Sequence, residues 1–228
     1  MNYFYEDFFF TLLLCFTVNF FLHKISIHEH FLGPLGFNIV RSLICGSLAT
    51  NSYHNYKLVM NDICLVNNYE LFQNYHYKFF NYFIIDIFIM FYQKYCKIVP
   101  YIRMDLLFHH FLAIFVLLII QKQEMYSLSV LIGLSEGMSL VSGFKLLSNY
   151  FENKKFTKIF IYYRLLYCIV VRMFFLWPSL FFLYLNMTSQ CEKFKNKRNI
   201  FMILSFIGII MFTESKWIYK GKKELFKI

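Results

Sequence analysis

Two adjacent histidines, His109 and His110, lie near the start of an otherwise apolar run at residues 104–120. Ionisable side chains are costly at membrane depth, so they face protein or a water-filled cavity and commonly mark functional sites. An imidazole with a pKa near neutrality can take a proton from an amine or hydroxyl nucleophile, and a nearby carboxylate can fix its tautomer. The pair is therefore the main candidate for proton-transfer chemistry in this sequence.

Other polar side chains stand in similarly apolar surroundings. Asp86 lies within an apolar helix, and Glu136 shares a predicted helix face with Ser139. Arg172 lies too deep in its apolar segment to reach the interface, so we expect it to pair with an acidic group. Two interpretations stay open: these groups hold a helix bundle together, or they line a polar cavity for lipid chemistry. We favour the cavity, because a structural pair rarely needs two adjacent titrating rings.

The composition identifies the class of protein that must position these groups. Of 228 residues, 59% are hydrophobic and 16% are charged, whereas soluble domains carry about 25% charged residues. The net charge of +10 does not indicate nucleic-acid binding, because the basic residues cluster between the apolar runs. We therefore predict an all-α, polytopic membrane protein. Its seven predicted spans cover residues 8–22, 37–53, 77–91, 104–120, 125–147, 159–185 and 200–217.

The first apolar run resembles a signal peptide in length, but it lacks a basic leading region and a small-residue cleavage site, so we interpret it as a retained span. His23, His28 and His30 follow it. Their spacing fixes no coordination geometry, so we interpret this segment as a solvated interfacial loop and predict no metal site and no bound cofactor. Polar residues predict loops at 55–75 and 186–199.

The distribution of basic residues predicts the orientation. With seven spans, one side carries twelve Lys and Arg side chains and the other carries seven, which places the N-terminus in the lumen and the C-terminus in the cytosol. The basic loop before the last span argues against this orientation. Asn186, which begins an Asn-Met-Thr glycosylation sequon, is then lumenal.

Cys64 and Cys191 also fall in predicted lumenal loops, where they could form a disulfide. The other four cysteines are interpreted as small apolar residues; they are Cys15, Cys45, Cys96 and Cys168.

The order of polar residues in three successive spans resembles the TLC domain, the membrane module of ceramide synthases and translocating-chain-associating membrane proteins. The matching stretches are residues 83–90 with Asp86, residues 107–114 with the histidine pair, and residues 134–136 with Glu136. The resemblance extends over residues 37–220. Weaker matches are Asn38, Arg41, Ser42, Lys145, Arg172, Pro178 and Trp217.

The resemblance implies a domain organisation and a catalytic role. Residues 1–36 would form an anchor and loop, 37–220 a TLC domain in which six spans make a helical barrel, and 221–228 a basic cytosolic tail. His109 and His110 would be catalytic and Asp86 would support them, with acyl-CoA as co-substrate. The helix after the histidines contains one carboxylate and no histidine, so the chain is more similar to the smaller TLC-domain proteins than to true ceramide synthases.

Two functions follow as expectations. The first is an enzyme that transfers an acyl group from acyl-CoA to a lipid amine or hydroxyl, with Glu136, Arg172 and Ser139 lining its cavity. The second is a non-enzymatic lipid sensor, or a regulator of membrane lipid composition or trafficking. Both have membrane lipids as partners, involve no nucleic acid, and suit the endoplasmic reticulum or a related endomembrane. A helix bundle without a ligand is less favoured. A transporter is also less favoured, because the sequence contains no inverted repeat.

Overall fold

The computed structural model of the chain is almost entirely helical. Its only strands among the described residues are Ser26–Ile27 (β1) and His30–Phe31 (β2), which pair antiparallel. The predicted histidine loop falls largely outside the described part, since His23 and His28 are not included and the side chain of His30 is not described. The structure describes residues 2–22, 26–27, 30–31, 35–64, 67–97, 101–197 and 199–226.

The chain divides into two compact units. The first combines Met1–Ile44 with Tyr69–Ser129, and the second combines Cys45–Asn68 with Val130–Ile228. The first four helices are α1 (Asn2–Leu22), α2 (Gly36–Asn61), α3 (Tyr69–Tyr95) and α4 (Met104–Gln123). The later elements are α5 (Ser127–Leu134), α6 (Gly137–Tyr150), α7 (Lys154–Leu166), a π-helical segment (Tyr167–Leu176), α8 (Trp177–Gln190), a 3₁₀ helix (Glu192–Lys197) and α9 (Ile200–Leu225).

The chain has the helices of an integral membrane protein. Among the described residues, four helical stretches are long and apolar enough to cross a membrane; they are Met104–Gln123, Ser127–Tyr150, Lys154–Gln190 and Phe201–Leu225. These stretches overlap the last four predicted spans. Helix α1 contains a shorter apolar stretch, Phe8–Val18, whereas α2 and α3 are helical but are not among the four.

The predicted loop at residues 55–75 is wrong for most of its length. Helix α2 continues to Asn61 and α3 already begins at Tyr69. Polar side chains such as Lys57 are exposed on the α2 surface rather than in a loop. The connection is short because the Asp62 carboxylate accepts hydrogen bonds from the backbone N–H groups of Asn67 and Asn68, at 2.8 and 2.9 Å.

Two further predicted boundaries are corrected near the C-terminus. The loop predicted at 186–199 begins too early, because α8 continues to Gln190 and a 3₁₀ helix covers Glu192–Lys197. The segment predicted as a basic tail is helical to Leu225, since α9 continues past the apolar span. Polar residues extend both helices beyond the limits that hydropathy indicates.

The first unit is held by apolar contacts of α1 and α2 with α3. Cys15 of α1 lies in one buried cluster with Phe37 and Val40 of α2. Ile85 and Ile89 belong to the same cluster, and their i, i+4 spacing places them on one face of α3. This packing sets the face of α3 that carries Asp86 toward the interior of the unit, where the carboxylate is buried.

The second unit contains two close approaches of helices at glycines. A β-carbon at Gly137 would lie 2.9 Å from Cζ of Tyr167, and one at Gly221 would lie 2.8 Å from the Leu165 side chain. A larger residue at either position would therefore force the Tyr167 or the Leu165 side chain to shift. The Tyr167 hydroxyl donates a hydrogen bond to the carbonyl of Leu134, near the end of α5.

Cys64 and Cys191 form a disulfide in the second unit, joining positions 127 residues apart. We expect replacement of both by serine to destabilise the protein by about 2–5 kcal/mol, because the bond restricts a long loop in the unfolded chain. Thermal unfolding in detergent, with and without reductant, measures the effect. Serine at Cys96, a free and exposed thiol, is the matched control. An unchanged midpoint for the double variant would contradict the prediction.

Candidate functional site

A buried carboxylate–imidazole contact lies between α3 and α4. Nε2 of His110 is 2.6 Å from Oδ2 of Asp86, and both side chains are only 2% exposed. The two residues come from consecutive helices of the first unit, which pack against each other. The structure therefore brings together two of the three residues that the sequence assigned a catalytic role.

Arg41 of α2 completes this group. Its Nε atom is 2.5 Å from Oδ1 of Asp86, and its Nη1 atom donates to Oδ1 of Asn38 at 3.1 Å. The carboxylate of Asp86 thus has a cation on one oxygen and an imidazole on the other. An Arg–carboxylate pair needs such hydrogen bonding to offset the loss of water on burial.

The geometry determines the tautomer of His110. An ionised carboxylate only accepts hydrogen bonds, so Nε2 of His110 must carry the proton that faces Asp86. In the neutral ring, the other nitrogen, Nδ1, presents a lone pair. Nδ1 is buried and has no hydrogen-bond partner among the described residues. His110 therefore holds a basic nitrogen whose ring is fixed by Asp86.

His109 occupies a different environment from His110. It is half-buried, and its ring lies edge-on to Phe83 with the centroids 6.2 Å apart. Neighbouring helical residues point about 100° apart, so the two imidazoles cannot both face Asp86. The 2.6 Å contact with Asp86 belongs to His110, which is also the more deeply buried of the two residues that the sequence treated alike.

Glu136 lies at the break between α5 and α6, inside the second unit. Its carboxylate accepts hydrogen bonds from Ser135 Oγ at 3.3 Å and from Ser139 Oγ at 3.2 Å. The Cys45 thiol contacts the same carboxylate at 3.5 Å. Glu136 and Ser139 thus meet as their spacing predicted. The interpretation of Cys45 as only a small apolar residue is incomplete, because its thiol is also a donor.

Arg172 pairs with an acidic group, as its depth in the sequence predicted. Its Nη2 atom is 2.8 Å from Oε1 of Glu214, and both side chains are 1% exposed. The Cys168 thiol donates to Oε2 of Glu214 at 2.8 Å, so this cysteine too is a hydrogen-bond donor as well as a small apolar residue. The Trp177 and Trp217 rings lie 5.9 and 5.6 Å from the guanidinium carbon.

The π-helical segment explains how these side chains share a face. The backbone N–H of Trp177 bonds to the carbonyl of Arg172, five residues earlier. This wider turn places residues five apart nearly above each other, whereas an α-helix would turn them to different sides. Pro178 follows the segment and stands in the first turn of α8, where a proline does not break the hydrogen-bond pattern of the helix.

Asn186 lies in the last turn of α8 rather than in a loop. The sequon's Thr188 is buried, and its hydroxyl donates to the carbonyl of Tyr184 at 2.9 Å. Glycosylation would require this turn to open, because the hydroxyl is already engaged inside the second unit.

A second buried histidine was not identified from the sequence. His76 Nδ1 lies 2.7 Å from Oγ of Ser129, and both side chains are fully buried in the first unit. The Tyr126 ring packs 5.1 Å from the His76 ring. A polar residue in the N-terminal part of α3 was the only sequence signal for this contact.

No protein-family model matches this chain, and no curated protein and no solved structure matches it with significance. The resemblance to the TLC domain therefore stays a prediction from the residues themselves. Arg41 and Glu214 were missing from the predicted site, although each is a charged residue within a predicted span.

Proposed function

We propose that this chain is a TLC-type membrane protein that handles lipids, and that it transfers an acyl group from acyl-CoA to a lipid amine or hydroxyl. The observation that carries the proposal is the buried Asp86–His110 contact, which leaves Nδ1 of His110 as an oriented base. Arg41 supports the same proposal, because its contact with the other oxygen keeps the carboxylate in place.

The proposed reaction uses His110 twice. Nδ1 takes the proton of the lipid amine or hydroxyl as that group attacks the thioester carbonyl of acyl-CoA. The carbon–sulfur bond then breaks, and the departing thiolate takes the proton back from Nδ1. Asp86 stabilises the imidazolium that exists between these two transfers, as the acidic member of a catalytic triad does. The products are the acylated lipid and free CoA.

The other predicted site residues have internal contacts in the second unit. Glu136 accepts hydrogen bonds from serines, including Ser139, and Arg172 is engaged by Glu214. The proposed chemistry does not use them. His109 would contribute a second, more accessible imidazole beside His110, in the position that the resemblance gives to a catalytic residue.

We also propose seven spans, six of which form a helical barrel, with a lumenal N-terminus and a cytosolic C-terminus in the endoplasmic reticulum. Helices α1, α2 and α3 have 21, 26 and 27 residues, enough to cross a bilayer that needs about 20. The pairing of Arg41 with Asp86 lowers the cost of placing these charges in lipid. The Cys64–Cys191 disulfide supports a lumenal position for the two loops that carry these cysteines, because disulfides form in oxidising compartments.

A non-enzymatic lipid sensor is the second candidate, and burial is the observation that favours it. His110 is 2% exposed, and its Nδ1 atom, which has no hydrogen-bond partner among the described residues, could accept a hydrogen bond from a lipid head group. In that case the Asp86–His110 contact would orient a binding group without proton transfer. Lipid binding would then survive without any new acylated product.

The two candidates are separated by comparing cells that express the wild type or the His109→Ala/His110→Ala variant at matched levels, with labelled fatty acid supplied. We expect one labelled lipid class to rise with the wild type only, because the variant lacks the base. His54→Ala, which removes an exposed imidazole from α2, is the matched control and should behave as the wild type. Equal labelling by wild type and double variant would contradict acyl transfer and favour the sensor.

A further inference from the structure

One carboxylate of the second unit is shared by cations from two other helices. Lys145 Nζ of α6 lies 2.6 Å from Oε2 of Glu224, and Arg164 Nη2 of α7 lies 3.3 Å from the same oxygen. The Glu224 side chain, near the end of α9, is 30% exposed, and those of its two partners are about 20% exposed. The group is therefore partly open, unlike the buried Arg172–Glu214 pair.

A third cation stands beside the same carboxylate. Lys220 lies four residues before Glu224 on α9, a spacing that places both side chains on one helix face. Among the described interactions of Glu224, three positive side chains thus lie around one carboxylate, an excess of two positive charges. A cluster with such an excess attracts a further anion, whereas the Arg172–Glu214 pair is neutral within itself.

Aromatic residues flank this cluster in sequence. Tyr162 and Tyr163 come just before Arg164 on α7, and Tyr219 comes just before Lys220 on α9; all three are exposed. Exposed tyrosines of membrane proteins concentrate at the level of the lipid head groups. The cluster would therefore lie where lipid phosphates, and the phosphates of a ligand at the membrane surface, are found.

We infer that Lys145, Arg164 and Lys220 bind a phosphate group, for which Glu224 acts as an internal competitor. Two sources carry this chemistry, the head group of an anionic phospholipid and the phosphates of coenzyme A. The site does not depend on acyl transfer by His110, because its residues belong to the second unit and none of them takes part in the proposed reaction. A lack of phosphate binding at this cluster and a lack of acyl transfer by His110 would therefore be separate results.

Because Glu224 competes with the phosphate, its removal and the removal of a cation should change phosphate binding in opposite directions. Glu224→Gln keeps the side-chain shape but removes the internal anion, so binding should strengthen, by about fivefold for one charge at the membrane surface. Lys220→Gln should weaken binding by a similar factor. Lys155→Gln removes one exposed charge from α7 outside the cluster and is the matched control.

The experiment is native mass spectrometry of the full chain purified in detergent, with phosphatidylglycerol titrated in one arm and coenzyme A in the other. Retention of phosphatidylglycerol that is stronger in Glu224→Gln and weaker in Lys220→Gln assigns the site to a lipid. The same pattern for coenzyme A alone assigns it to the co-substrate. Binding of neither probe, or an equal loss in Lys220→Gln and Lys155→Gln, would overturn the proposal, since general surface charge would then explain the attraction.

Discussion

Replacing Asp86 with alanine should destabilise the protein by about 3–5 kcal/mol and slow the proposed acyl transfer, by no more than the loss of His110 itself. The variant leaves the guanidinium of Arg41 buried without the carboxylate that lies 2.5 Å from its Nε atom. It also removes the acceptor that fixes Nε2–H of His110, so Nδ1 is no longer oriented as the base. Thermal unfolding in detergent and transfer of a labelled acyl chain measure the two effects.

The two effects of Asp86 separate in a second variant. Arg41→Met/Asp86→Leu removes both charges and keeps apolar volume, so most of the lost stability should return while the proposed acyl transfer stays slow. Asp105→Ala is the matched control, because Asp105 forms an exposed pair with Arg103 at 2.7 Å and such pairs contribute about 0–1 kcal/mol. Acyl transfer at the wild-type rate in the charge-free variant would show that Asp86 does not orient the base.

Replacing Arg172 with methionine will produce a loss of similar size, about 3–5 kcal/mol, because it leaves the buried carboxylate of Glu214 without its cation. Arg172→Met/Glu214→Leu should recover most of that loss, since neither charge then remains in the interior. A double-mutant cycle by thermal unfolding gives the coupling between the two side chains.

The control for this cycle is an exposed ion pair of the same unit. Lys195 and Glu192 lie 3.9 Å apart, with side chains at least two-thirds exposed, so Glu192→Ala should change stability by under about 1 kcal/mol. Additive losses in the Arg172 and Glu214 variants would mean that the 2.8 Å contact does not hold the second unit together.

The sequence was sufficient to select Asp86 and His110 but not to complete their surroundings. A carboxylate and an imidazole in consecutive helices need partners at membrane depth, and the packing of α3 against α4 brings these two within hydrogen-bond distance. Arg41 was noted only as a weak family match, because its segment is polar enough to obscure a buried charge. Glu214 was overlooked, since it lies close to the basic residues that end α9.

Helix boundaries were the least predictable part of the fold. Hydropathy ended α2 at residue 53, but the helix continues to Asn61 with polar side chains on its surface. Likewise, the π-helical segment before Pro178 has no sequence signal beyond the proline itself, because a wider turn depends on the packing of Arg172 and Trp177. Apolar periodicity locates the buried core of a helix and not its ends.

The central claim is that Nδ1 of His110 is the base for acyl transfer. Its most direct test is transfer by the purified protein, reconstituted in vesicles of a total membrane lipid extract and given acyl-CoA labelled in the acyl chain. We predict that the wild type moves label from CoA to one lipid class, and that His110→Ala is slower by about 10²–10⁴-fold. His109→Ala should lose less, because the imidazole that Asp86 orients at 2.6 Å is that of His110. Label transfer by His110→Ala at the wild-type rate would contradict the account.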